Sequence, residues 1–138
     1  MKKTGKQVQS DVMALLKSGS LPSIITGKVY RNGYRPRDSK AEDAIVIFTT
    51  GLADQMQTGV VTINIYIPDI DPFANGVLVE NGQRCEELEI AANTWAESLT
   101  AEKSDYRFAL QQTIYTEEEA AIHQHFIVIK LIYKLLTN

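Results

Sequence analysis

The chain has 138 residues, 44% of them hydrophobic and 22% charged, which fits one folded domain over 1–138 and excludes a wholly disordered chain. Its 17 acidic and 14 basic residues leave a net charge of −3, which argues against nucleic acid as the main partner, because phosphate binding needs a dominant basic surface. The single cysteine, Cys85, excludes an internal disulfide and suits a reducing compartment.

The first predicted element is a helix. Thr4 and Gln7 fit a capping box, in which each side chain satisfies the other residue's free backbone N–H. Val8, Val12, Leu15 and Leu16 then recur at helical spacing, and Gly19 and Pro22 close the segment. "GKVYR" predicts a short strand around Val29. Residues 31–43, "RNGYRPRDSKAED", read as a polar loop carrying Arg31, Arg35, Arg37 and Lys40, with Gly33 and Pro36 set against regular structure. "AIVIFTT", residues 44–50, is β-branched and predicts a strand. After the link "GLADQMQ", Val61, Ile63, Ile65 and Ile67 alternate with Val60, Thr62, Asn64 and Tyr66, the period of a strand with one buried face, ended by Pro68.

A long connection, residues 69–82, precedes a second helix over Gln83–Leu99. Cys85, Leu88, Ala92, Trp95 and Leu99 share its apolar face, with Glu86, Glu87, Glu89 and Glu97 mostly elsewhere. "DYRFALQQTIY", residues 105–115, alternates as a strand, "TEEEA" reads as a turn, and a final strand starts near Ala121, closing a long hairpin. The expected fold is α+β: a mostly antiparallel sheet of four to five strands with two helices packed on it, in the order α-β-β-β-α-β-β. The apolar C-terminal run is broken by Lys130 and Lys134 and the N-terminus has no apolar signal-like stretch. A soluble cytoplasmic protein with no membrane partner is expected.

Candidate chemistry is sparse. His123 and His125, at i and i+2 of the expected strand, would share a face with Ile127, Ile129 and Leu131 and could meet one metal ion. The third and fourth ligands that zinc needs are not evident in the sequence. The reading is that the pair begins a structural strand, with a metal-dependent enzyme using His123 and His125 as the alternative. Asp69, Asp71 and Glu80 fall at positions 1, 3 and 12 of a calcium loop, but Phe73 and Ala74 stand where an oxygen ligand and glycine belong. Cys85, on the apolar stripe of a helix, reads as an inert small hydrophobe. No nucleophile elbow, P-loop or dinucleotide motif is present. No catalytic residue, metal or cofactor is therefore assigned.

The better candidates are contact residues. Arg31, Tyr34, Arg35 and Arg37 interleave rings and guanidinium groups, as protein interfaces do. The acidic stretch Glu117, Glu118 and Glu119 offers complementary charge, which a head-to-tail ring would bring together. The even-numbered side of the last strand, with Lys130 and Lys134, is free to meet water or a partner. A monomeric adaptor domain is the remaining alternative.

The succession "DVMALLKSG", "ITGKVY", a proline-containing loop, "AIVIFTT", "GVVTINIYIPD", "RCEELEIAANTWAESL" and a final β-hairpin resembles the small tail-completion, or head–tail joining, proteins of long-tailed bacteriophages and prophages. The likeness runs from about residue 8 to 136 and lies in element order and lengths. The connection around "DPFANGVLVENG" is longer than that pattern expects. The resemblance implies a non-enzymatic structural protein forming a homo-oligomeric ring at the head–tail junction or tail end. It also implies other phage head–tail or tail-tube proteins as neighbours, and a place first in the host cytoplasm and then in the virion.

Overall fold

The computed structural model describes residues 2–99 and 105–136. Helix α1 spans Gly5–Ser18, β1 Val29–Arg31, β2 Ala44–Ala53, β3 Gln57–Pro68, α2 Gly82–Ser98, β4 Tyr106–Leu110, β5 Tyr115–Glu119 and β6 Gln124–Leu135. The fold is α+β, as expected. One six-stranded sheet runs β1-β2-β3-β6-β4, with β5 also on β6; only the β1–β2 pair is parallel.

Each helix forms where the sequence predicts it. The Thr4–Gln7 box is present in both directions. Asn81 caps α2 by accepting from the Arg84 N–H at 3.3 Å. Val8, Val12 and Leu16 of α1 meet Leu88, Ala92 and Trp95 of α2 in one core over the odd-numbered side chains of β3 and β6. Gly19 ends α1 with φ −89°, so its value is room rather than backbone freedom: a Cβ there would stand 2.7 Å from Trp95 Cδ1.

Both helices pack on one face of the sheet; the other carries no helix among the described residues, and only at one end does the loop 31–43 lie over it, with Arg35 on Tyr66 and Gln124. Strand pairing puts Val60 opposite Ile132, Thr62 opposite Lys130, Asn64 opposite Val128 and Tyr66 opposite Phe126 on that open side, with Ile47 beside Thr62. Antiparallel sheets usually turn polar residues to water on such a face. Here its centre is apolar: Val60 and Val128 are already buried among their neighbours, at 9% and 4% exposed, and Ile47 and Ile132 are half-buried.

The sheet differs from expectation at its last edge. "TEEE" lies within β5 and is not a turn, so there are six strands. The expected strand over 105–115 is broken in two: Leu110 faces Leu131 and Tyr115 faces Val128, so four edge residues, 111–114, span two residues of β6. The surplus loops out while Ile114 turns inward. The hairpin is therefore real, with an interrupted outer arm. β6 begins at Gln124 rather than near Ala121, because 120–122 form a short 3₁₀ turn. His123 closes that turn in the left-handed region, at φ +53°, so it and His125 do not share a strand face. No helix of the described residues is long and apolar enough to cross a membrane.

Candidate assembly surface

The basic loop 31–43 divides into inward and outward members. Arg31 donates to Gln9 Oε1 at 2.9 Å and Ser10 Oγ at 2.6 Å, tying β1 to α1. Arg35 is 10% exposed and pairs through Nε with Asp43, 2% exposed, at 2.9 Å. Its Nη2 reaches Gln124 Oε1 at 2.9 Å and the carbonyls of Ser39 and Ala41, and its guanidinium lies 4.3 Å over the Tyr66 ring. Burial works against the Asp43 carboxylate, but bonds from Ser39, the Lys28 N–H and Arg35 outweigh it and hold its pKa below the usual value. Both arginines are thus committed within the chain. Tyr34, 70% exposed, points to solvent, and Arg37 lines a shallow cleft with Pro36, Tyr66 and Ile122.

Glu117, Glu118 and Glu119 run along the outer edge, opposite Phe126, His125 and Gln124. Tyr115 donates its hydroxyl to Glu117. Carboxylates on an edge strand discourage indiscriminate strand pairing. Because Gln124 receives Arg35 and pairs with Glu119, the acidic strand and the basic loop meet at one end of the sheet within a single copy. They do not form the two opposed patches that the sequence suggested.

At the same end, the chain leaves β3 as an arm over residues 69–81. Ile70 and Val79 bond backbone to backbone at 2.9 and 2.8 Å and close its neck. The Asp71 carboxylate accepts from the N–H groups of Asn75 at 3.1 Å and Gly76 at 2.9 Å, and Asn75 Oδ1 accepts from the Val77 N–H at 3.0 Å. Gly76 takes φ +80°, a conformation glycine adopts without penalty. This lattice fixes the tip. It leaves Phe73 78% exposed, with Val77, Leu78, Val79 and Ile70 also in solvent.

The base of the arm closes on His125. Nδ1 lies 2.7 Å from Asp69 Oδ1 and Nε2 lies 3.3 Å from Glu80 Oε2, while the Asp69 N–H donates to the His123 carbonyl at 3.0 Å. Asp69 and Glu80, outlying positions of a calcium pattern in the sequence, are the two ends of the arm drawn together by one imidazole. Asp71 is occupied in the turn instead. Among the described residues no three His, Cys, Asp or Glu stand so as to hold a metal ion. Cys85 lies beneath, 3% exposed; burial, with Glu80 and Glu89 nearby, pushes its thiol up to about 11.

The arm is what sequence reasoning missed. Its signal was legible: five large apolar residues in a connection that contains the turn pairs Asp71-Pro72 and Asn75-Gly76. Compared with models of protein families and with curated proteins, the chain matches none.

Proposed function

We propose that the chain is a structural subunit of a phage or prophage particle that assembles with copies of itself into a ring, as the likeness to tail-completion and head–tail joining proteins implies. The observation that carries the reading is the ordered arm with its exposed apolar side chains. Contiguous apolar surface on a soluble protein marks a contact site, and an arm already held in shape loses little freedom on docking. Two internal ion pairs, Arg35–Asp43 and the forked Arg84–Glu42 pair at 2.7 and 2.8 Å, hold the loop 31–43 and the start of α2 in place. The ring would sit at the head–tail junction or tail end, against other head–tail or tail-tube proteins.

Sedimentation velocity of the purified chain over a concentration series, with electron microscopy of the largest species, tests this. A discrete closed oligomer is expected. A monomer at every concentration and salt would overturn the proposal.

A further inference from the structure

Two surfaces are unpartnered among the described residues, and they differ in character. The arm, Asp69–Glu80, contains three carboxylates and no lysine or arginine, and its tip is apolar. The open sheet face is the reverse. Strands β2, β3 and β6 contain no Asp or Glu, and the lysines they carry, Lys130 and Lys134, both point to the open side beside Ile132. From this pairing we infer that the arm of one copy seats on the open sheet face of the next, Phe73 over the half-buried Ile47 and Ile132, with Lys130 and Lys134 facing Asp71 and Glu80 of the arm.

The occupant is a second copy because both halves of the charge complementarity are present on one chain. The two patches are different surfaces, so the contact is head-to-tail. Contacts of that type close into rings when the rotation allows. Position along the face is also determined. Glu117 and Glu119 pair with Phe126 and Gln124 and so reach the open side at its arm-proximal end. Arg37 stands beside Tyr66 at that end as well, so it is the lysines that draw an acidic arm to the half around Lys130, Ile132 and Lys134.

This inference rests on the ring-forming reading above, and the test separates the two. Phe73→Asp disables the arm; Lys130→Glu with Lys134→Glu disables the face. Both change side chains outside the core, and circular dichroism melting verifies the fold. Each variant alone is expected to sediment as a monomer, with self-association weakened by about 30-fold or more, as for an interface hot spot. Mixed in equal amounts, they are expected to form a one-to-one dimer that grows no further, because one intact arm and one intact face remain. A second readout joins Phe73→Cys on one copy to Ile132→Cys on another with a short bismaleimide; the buried Cys85 does not compete.

An oligomeric wild type whose Phe73→Asp variant still assembles, or whose mixed variants stay monomeric, would overturn the arm-to-face assignment and leave the ring-forming reading standing. Assembly that needs Phe73 but ignores the two lysines would likewise place the arm elsewhere. A monomeric wild type would sink both.

Discussion

Arg35→Ala is expected to destabilise the fold by about 3–4 kcal/mol at pH 7. Removing one partner of a buried ion pair costs about 3–5 kcal/mol, because the other charge is left uncompensated. Asp43 keeps the Ser39 hydroxyl and the Lys28 N–H, which moves the cost toward the lower end. Loss of the guanidinium over Tyr66 adds about 0.5–1 kcal/mol. The sign of the pH dependence follows from Asp43, whose pKa in the folded chain lies below its usual value. Such a group contributes stability that is fully present above the unfolded value of about 3.9 and is lost as pH falls through the folded one. The arginine supplies part of that depression, so the gap between wild type and variant should narrow below about pH 4. Urea unfolding at pH 7 and pH 3, at one fixed protein concentration because self-association also stabilises, measures both effects. A variant within 1 kcal/mol of wild type at pH 7, or a gap that does not change with pH, would refute the account of Arg35 as the buried clamp of this loop.

Gly19→Ala places a methyl against the Trp95 indole and should cost about 1–3 kcal/mol by overpacking, with a shift in Trp95 fluorescence; an unchanged melting curve and spectrum would contradict the packing. Cys85, buried and with its pKa raised, should resist thiol reagents at pH 8 in the folded chain and react at once in 6 M urea; equal rates in the two states would show the helix α2 face to be open. His125→Ala removes the ring between Asp69 and Glu80 and should loosen the arm, at a cost of about 1–3 kcal/mol for the buried carboxylate left behind. Chymotrypsin, cutting after Phe73, should then cleave several-fold faster, and an unaltered cleavage rate would mean that the arm is held by other contacts.

The parts legible in the sequence are those whose cause is local. The Thr4–Gln7 box, the apolar stripe from Cys85 to Leu99, and the alternation from Val60 to Ile67 each carry their explanation within a few neighbouring residues, and each forms as expected. The misreadings arise where a distant partner decides. "TEEEA" has the composition of a turn, yet Glu117–Glu119 extend because β6 offers a free edge to pair with. His123 has the spacing of a strand residue, but the 3₁₀ turn before it sets the backbone at φ +53° and removes it from the row. Arg31 and Arg35 have the composition of an interface, and the fold draws them onto Gln9, Ser10, Asp43 and Gln124 instead.

That redistribution of charge bears on how a chain of this kind can associate. Arg35 and Asp43, buried against each other at one end of the sheet, are not available to a neighbour, so complementarity between copies has to come from elsewhere. The remaining asymmetry is between an acidic, apolar arm and a sheet face whose lysines have no carboxylate beside them on the long strands. Val60 and Val128 are already buried there; a helix layer would bury Ile47 and Ile132 as well, and the even side of β6 would then need no lysines. In the proposed contact the lysines hydrate the face of a free copy, while Ile47 and Ile132 supply its apolar part. A surface with both properties suits a subunit that must exist alone before it assembles. It also predicts that assembly weakens as salt rises, because the Lys130 and Lys134 contribution is screened over about 10 Å at 0.1 M while the apolar contact at Phe73 is not.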